Sequence, residues 1–387
     1  MKLQSYHPSV ISMKVVYLVP SLIKSGPINV VFNIVKSLNR DRFAAIITYL
    51  SEHPLKERNN QGAFEELGIK VIPHCFSKWQ LQFQTHAIAR HLQKELDGPD
   101  VILHAHGYYP TLLLAHMTAA RTLTTVHNRM KKGGLLGSYM AYNYLHALPH
   151  LSAFVPICES MKDYYLQRIP RRADKAEQAS TTVIPNGVTV PSSCSTNKKT
   201  DMRAKLAIPA DTPILLYPAG FTKGKNQRRI IKELRNSPRD FVVLFAGQGT
   251  LEKSCREMVS TDNRFRFLGF QMDLSTLWSA SDFLISPSLS EGMPMAVLEA
   301  LIHGIPCILS DIPVHNEIIK SIPGSGICFS LNKEGSLLQA FEKALATKFD
   351  HDAIRNKAIE LYSAQTMCSG YEALYQQLYD KSQHIKA

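Results

Sequence analysis

Residues 288–311 read SLSEGMPMAVLEALIHGIPCILSD, and the placement of two glutamates in that stretch decides how the chain is read. Glu299 sits inside Met-Ala-Val-Leu-Glu-Ala-Leu-Ile, a run otherwise suited to a helix buried on most sides. A carboxylate there is costly unless something pairs with it. Glu291 lies eight positions earlier, directly ahead of Gly292-Met293-Pro294. The preceding FLISPS (283–288) has the unbroken apolar character of a strand covered on both faces, so Leu289-Ser290-Glu291-Gly292 is its exit loop. A helix is expected to begin near Pro294, because proline suits the first helical turn. Gly304 and Pro306 stop it before the next strand, PCILSD (306–311). Strand, loop, helix, strand is the repeating unit of a parallel α/β sheet.

The same alternation runs outward in both directions. Candidate strands lie at 14–20, 44–50, 70–74, 101–106, 122–127, 153–158 and 181–185, then at 213–220, 241–247, 264–269, 283–288, 306–311 and 326–329. Helical patterns such as PINVVFNIVKSL (27–38) and QRRIIKEL (227–234) fill the gaps. Between the two series, PSSCSTNKKTD (191–201) is polar, small and without apolar periodicity, which marks an exposed linker. The expected organisation is two doubly wound, Rossmann-like α/β domains, 1–190 and 202–360, followed by amphipathic helices over 361–387. Two such domains facing each other make a cleft, and ligands bind outside the carboxyl ends of the strands.

Bulk composition fits this picture. The 387 residues are 45% hydrophobic and 20% charged, as in an ordinary globular protein of two domains. No apolar run approaches the ~20 residues that span a bilayer, and MKLQSYHPSVISMKVVYLVP lacks a signal-peptide core. Seven cysteines without a C-x-x-C pair fit reduced cytoplasmic thiols and argue against zinc. Residues 1–190 carry 21 Lys and Arg against 12 Asp and Glu, whereas the remainder carries 23 against 20. The basic half suggests an anionic partner, either a membrane surface or a phosphorylated substrate. The alternative is charge that serves solubility alone. Nucleic acid is set aside, because no aromatic-basic motif accompanies the gross charge.

The chemistry concentrates at strand ends. Glu291 stands beside the free N–H groups of a helix N-terminus, which favour a phosphate. Glu299 is placed to accept hydrogen bonds from vicinal hydroxyls such as those of a ribose; the alternative is a salt bridge to a core arginine or lysine. A second anion site follows PILLYPAG, where Gly220-Phe221-Thr222-Lys223-Gly224-Lys225-Asn226-Gln227 leads into a helix. Its glycines allow close approach, and Lys225 is placed to neutralise a diphosphate. In the first domain Lys24-Ser25-Gly26-Pro27 joins strand to helix in the same manner, Gly26 permitting a tight turn. His106 and His127 each end a strand, in LHAHG and TTVHN, which makes them candidates for the cleft, His106 on the acceptor side; the alternative for His106 is a plain hydrogen-bonding role. AGQG (246–249) lacks the third glycine of a dinucleotide loop and is discounted.

These residues together resemble the family 4 retaining glycosyltransferases of the GT-B fold (glycosyltransferases group 1). The resemblance rests on Glu-x7-Glu in SEGMPMAVLEAL followed by GIPCILSDIPVHNEII. In the family's order come a glycine loop after the first strand, TTVHN, VIPNGV (183–188), the KNQ of 225–227, AGQG and the tail YSAQTMCSGYEALYQQLY. It implies that residues 202–360 hold a nucleotide-sugar donor, a UDP-sugar being expected, and that residues 1–190 hold the acceptor. The terminal helices would return to the first domain. Glu299 would bind the ribose. Glu291, with the backbone of Gly292, Met293 and Pro294, would hold the sugar, and Met293 and Met295 would influence its choice. Lys225 would stabilise the departing diphosphate, assisted by Gly26, and His127 would lie near the attacking hydroxyl. No cofactor and no metal is implied, and no clear Asp-x-Asp site is present.

One departure matters for the site: Phe221 stands where many members carry arginine, and Lys223 is a candidate replacement for that charge. The acceptor would be a glycan or a lipid-linked glycan. Its region is expected after His127, where Asn128, Arg129, Lys131 and Lys132 precede an apolar segment. Such a segment would dock peripherally on anionic lipid at the inner face of the cytoplasmic membrane; the alternative is a charged lid. The leading expectation is a cytoplasmic transferase of cell-surface polysaccharide, lipopolysaccharide or capsule synthesis. A nucleotide-sugar 2-epimerase of the same architecture and a non-catalytic sugar-nucleotide-binding scaffold are the alternatives.

Overall fold

The unbroken apolar runs all form strands of parallel sheets. The computed structural model describes residues 13–52, 59–118, 121–130, 134–170, 179–191 and 196–384. Its chain divides into unit 1, residues 1–186 with 364–387, and unit 2, residues 187–363.

Unit 1 runs β1 (Met13–Val19), α1 (Gly26–Ser37), β2 (Phe43–Tyr49), α2 (Gln61–Glu66), β3 (Lys70–Pro73), α3 (Lys78–Phe83), α4 (Thr85–Leu96) and β4 (Val101–His106). It continues with α5 (Tyr108–Ala115), β5 (Thr122–Val126), α6 (Gly134–Ala147), β6 (Ala153–Pro156), α7 (Glu159–Leu166) and β7 (Ser180–Thr181). The seven strands lie in the order β3-β2-β1-β4-β5-β6-β7. Every pairing is parallel.

Unit 2 runs α8 (Thr196–Lys205), β8 (Ile214–Tyr217), α9 (Gln227–Leu234), β9 (Val242–Ala246), α10 (Glu252–Val259), β10 (Phe265–Gly269) and α11 (Ser275–Ala280). There follow β11 (Phe283–Ser286), α12 (Met295–Ile302), β12 (Cys307–Ser310), α13 (Pro313–Ser321), β13 (Gly326–Phe329), α14 (Ser336–Ala346) and α15 (His351–Tyr362). Its sheet has the order β10-β9-β8-β11-β12-β13, again all parallel. The last helix, α16 (Ala364–His384), belongs to unit 1. Met367, Cys368, Tyr371, Leu374, Tyr375 and Leu378 form its buried stripe, at the three- and four-residue spacing of one helix face.

Several strands stop earlier than their apolar runs suggest. Pro20, Pro218 and Pro287 each follow directly on the last residue of a strand. Proline has no N–H to give the ladder, so the chain leaves the sheet there. The run 181–185 contributes only Thr181 to the two-residue β7. The segment 191–201 is not linker throughout, since it enters α8 at Thr196. The anchor of α8 is polar, which is why no apolar period marks it. Arg203 is buried and donates to the carbonyls of Ala280, Pro209, Ala210 and Thr212 and to Asp282.

The discounted AGQG has a structural task. A β-carbon on Gly247 would stand 2.2 Å from the Ala219 carbonyl oxygen, and one on Gly249 2.5 Å from that of Phe221. Only glycine lets these two strand-exit loops touch. Gly247→Ala should therefore lower stability by about 1–3 kcal/mol through forced displacement of backbone. Gly224→Ala, whose β-carbon would meet nothing within 4 Å, should be nearly neutral. Thermal unfolding of the two variants checks the contrast.

Candidate active site

In each unit the strand order reverses beside one central strand, between β1 and β4 in unit 1 and between β8 and β11 in unit 2. Crossovers on the two sides of that point run in opposite directions, so the loops leaving its two strands diverge and open a crevice.

In unit 2 those loops are 218–226 and 287–294, and they are fastened together. Lys225 Nζ donates to Glu291 Oε1 at 2.6 Å. The Leu289 amide donates to the Gly224 carbonyl at 2.8 Å. Asn226, in the left-handed conformation at φ 56°, donates from Nδ2 to the Pro287 carbonyl at 3.2 Å. Below them lies a buried hydroxyl network. Tyr217 donates to the Lys225 carbonyl at 2.7 Å and lies 3.1 Å from Ser288 Oγ, which accepts from Ser286. Burial holds the Tyr217 hydroxyl protonated, well above its ordinary range. Ser310 donates to the Ser288 carbonyl at 2.6 Å. His315 Nδ1 lies 3.0 Å from the Ser310 carbonyl. A carbonyl can only accept, so Nδ1 carries the proton. Burial lowers the pKa of His315 to about 4 and keeps it neutral.

Glu299 answers the question its sequence poses. Val297, Leu298, Ala300, Leu301 and Ile302 of α12 are buried, whereas Met295, Ala296 and Glu299 are only half-buried. These three share one helix face, so the carboxylate leaves the core instead of crossing it. Gly292, Met293 and Pro294 are buried beneath the loop that carries Glu291. Phe221 is wholly buried, its ring centroid 5.7 Å from those of both Phe245 and Phe267. It is a core residue, and Lys223 two positions on is exposed. Gly220 lies in close contact with the Gln248 carbonyl, 3.4 Å from where its β-carbon would be.

In unit 1 the loops are 20–26 and the turn after His106. A tight turn does not explain Gly26: its φ is not positive, and a β-carbon there would meet nothing within 4 Å. Ser25, Pro27, His106, Tyr108, Thr125 and His127 line part of a cavity of about 350 Å3. His106 Nδ1 and His127 Nε2 are hydrogen-bonded at 2.8 Å. Burial lowers His127 to about 4 and His106 well below its ordinary value, so both are neutral at neutral pH. Asn128 is exposed, and its carbonyl accepts from Tyr165 at 2.8 Å. Arg129 does not project as a free surface cation; it donates to the Ser160 carbonyl at 3.4 Å and lies 5.3 Å over the Tyr164 ring. Lys131 and Lys132 lie outside the described residues.

Behind the histidine pair stands a support the sequence reading missed. His104 Nδ1 bonds Tyr375 OH and its Nε2 bonds Thr125 Oγ1, both at 2.8 Å. Thr125 Oγ1 also meets Tyr371 OH at 2.7 Å, and Tyr375 donates to Tyr17 at 3.1 Å. Two signals were present: His104 and His106 two apart on one strand face, and Tyr371 and Tyr375 four apart on one helix face.

Comparison with known proteins agrees with this construction. The family model described as Glycosyl transferases group 1 matches residues 198–361, and that described as Glycosyltransferase Family 4 matches residues 25–190. The O-antigen biosynthesis glycosyltransferase WclY of Escherichia coli is 25% identical over 382 residues, covering 95% of this chain and 99% of that protein. A second Escherichia coli protein, UDP-Gal:alpha-D-GlcNAc-diphosphoundecaprenol alpha-1,3-galactosyltransferase, is 30% identical over 176 residues, 43% of this chain and 45% of its own. Among solved structures, Anabaena Alr3699/HepE in complex with UDP has a TM-score of 0.76 at 18% identity, covering 94% of this chain and all 100% of its own. This chain belongs to the family 4 glycosyltransferases of the GT-B fold.

The histidine cluster sets a pH dependence. An unfolded histidine titrates near 6.5, and His104, His106 and His127 are all held lower when folded. The unfolded chain therefore binds more protons below that pH. The stability is complete above about 6.5 and is lost as pH falls toward 4, at about 1.4 kcal/mol per pH unit for each proton. Calorimetry across this range should show a falling Tm, with a shallower fall in His127→Asn.

Proposed function

We propose that the protein is a retaining, metal-independent glycosyltransferase that moves a sugar from a UDP-sugar to a hydroxyl of a lipid-linked glycan in cell-surface polysaccharide assembly. The observation that carries this reading is the fastening of Lys225 to Glu291 at the crevice of unit 2, with Glu299 on the half-buried face of α12 beyond it. In this reading unit 2 holds the donor. Glu299 accepts from the ribose hydroxyls, Glu291 and the loop through Gly292, Met293 and Pro294 hold the sugar, and Met295 lies alongside. Gly220 leaves room for the diphosphate, and Gly26, with its unfilled β-carbon position, does the same on the acceptor side. Support for UDP comes from Anabaena Alr3699/HepE, solved with UDP and with UDP-glucose. Support for a polysaccharide role comes from the O-antigen relative, and for a lipid-linked acceptor from the galactosyltransferase named for a diphosphoundecaprenol substrate.

The bond from the anomeric carbon to the diphosphate oxygen breaks, and the acceptor oxygen bonds to the same face of that carbon. The acceptor proton passes to a diphosphate oxygen, so no side-chain base is needed. Lys225 stabilises the charge that develops on the leaving group, and its ion pair with Glu291 keeps it aimed before the donor arrives. Neutral His127 hydrogen-bonds at the reacting sugar without placing a cation beside the oxocarbenium-like centre. His106 fixes its ring.

A donor screen tests the reading. One UDP-sugar among UDP-, GDP- and ADP-sugars should raise Tm and undergo slow hydrolysis that EDTA leaves unchanged. Glu299→Ala should abolish the shift, and Lys225→Ala should slow turnover ~100-fold, about 3 kcal/mol of barrier. Lys223→Ala should also slow it sharply if Lys223 supplies the family's arginine charge. A screen in which no nucleotide sugar binds would sink the donor assignment.

Membrane attachment is part of the proposal. Among the described residues no helix is long and apolar enough to cross a bilayer. Exposed Trp79 and Phe83 of α3 and Leu135, Leu136, Tyr139 and Tyr142 of α6 supply the apolar surface, and Lys131 and Lys132 are proposed to supply the charge, Arg129 being held by Ser160 and Tyr164. In this reading the enzyme lies peripherally on the inner face of the cytoplasmic membrane. It should sediment with anionic vesicles at low salt and be released by added salt. Failure to sediment would leave the segment as a charged lid.

A further inference from the structure

Unit 1 also carries a set of donor groups with no part in the transfer chemistry. His74 follows the edge strand β3, and His91 and Glu95 lie one turn apart on α4. One potential ligand atom from each of the three lies within 4.8 Å of the other two. Residues four apart on a helix present their side chains on the same face, here toward the exit of β3.

The position of His74 is firmly set. Its amide donates to the Tyr49 carbonyl at 2.9 Å, and its ring stacks on Phe76 at 5.6 Å with an interplanar angle of 4°. His91 meets both rings edge-on, at 6.4 and 6.5 Å. Nε2 of His74 is buried and has no hydrogen-bond partner among the described residues. A buried polar atom left without a partner requires an explanation, and an ion absent from the chain itself is one. His91 Nε2 and Glu95 Oε2 already approach to 3.8 Å, and both side chains are well exposed.

We propose that His74, His91 and Glu95 bind a divalent transition-metal ion, zinc by preference, at a structural site of unit 1. Two imidazoles and a carboxylate form a borderline donor set of the kind zinc accepts, with water in the fourth position. Tetrahedral bonds of ~2.0–2.2 Å place ligand atoms about 3.4 Å apart. The exposed side chains of His91 and Glu95 have room in solvent to close on His74. The absence of cysteine pairs, which argues against a thiolate zinc centre, has no bearing on this set. The ligands bracket residues 75–90, which include α3 with exposed Trp79 and Phe83. A bound ion would close that segment at its base and hold α3 against α4. It takes no part in sugar transfer, and the inference stands whether or not the donor assignment does.

The test uses the full chain, stripped with EDTA and titrated with zinc chloride by calorimetry, and with cobalt(II) by visible absorption. One equivalent should bind with micromolar or tighter affinity, with cobalt absorption bands of low coordination number and a rise in Tm. His74→Ala and His91→Ala should each weaken binding at least tenfold. His116→Ala, which alters a separate histidine pair with His86, should leave it intact. Zinc should also slow proteolysis within 75–90 in the unaltered chain and not in His91→Ala. Absence of stoichiometric binding, or equal binding in all the variants, overturns the proposal. Circular dichroism confirms that the variants remain folded, and exposed His91 is the safer of the two positions.

Discussion

The reversal of strand order at the centre of each sheet is the constraint on which the other features depend. A parallel strand can carry its crossover to either face, and where neighbouring strands choose opposite faces their exit loops must part. Unit 2 parts them after β8 and β11, and unit 1 after β1 and β4. Proline directly after β1, β8 and β11 ends the ladder at these points, so the loops begin where the crevice opens. The polar side chains of both sites therefore rest on short connections to rigid strands.

The two crevices are stiffened by different chemistry. In unit 2, hydroxyl groups join the strand ends, and Tyr217 holds the backbone of Lys225 while the lysine side chain reaches Glu291. In unit 1 imidazoles do the work: His104 is held at both nitrogens, and His106 holds His127. Buried hydrogen bonds are stronger in a low dielectric, and the cost of leaving one unmade rises with them. Such networks define one arrangement sharply. They also explain why neutral imidazole suits unit 1, since each proton added would stand in a site that desolvates charge.

Much of this arrangement was legible in the sequence, because apolar runs and glycine or proline breaks are local signals. The strand segments, the doubly wound class and the loops bearing Lys225 and Glu291 followed from them, whereas the order of the strands in each sheet comes from the structure. The ion pair of Lys225 and Glu291 did not follow, since it joins residues 66 positions apart and depends on two loops leaning together. Glu299 reads as a buried charge because adjacent apolar letters conceal the helical angle that turns it outward. AGQG is weak as a nucleotide motif because its glycines serve backbone contact between loops. Arg203 and Arg129 show a common difficulty: an arginine that caps carbonyls or lies over a ring has the same letter as one in solvent. The tail's amphipathic period was clear, but the tyrosine hydroxyls completing a histidine network need the tertiary structure to be seen.

The position of α16 has a consequence for biogenesis. Unit 1 is discontinuous, and the whole of unit 2 is translated between Asn186 and Ala364. Domains that are contiguous generally fold as they emerge. Here the earlier unit must wait, with Thr125 and His104 lacking the hydroxyls that will satisfy them, while the later one gathers its own core. Synthesis and folding thus run in opposite orders, and the final helix is the keystone that admits the first-made half to its native state. A nascent chain halted before Ala364 would leave uncovered the apolar bed of the α16 stripe together with the unsatisfied Thr125 and His104, a ready mark for chaperones and proteases.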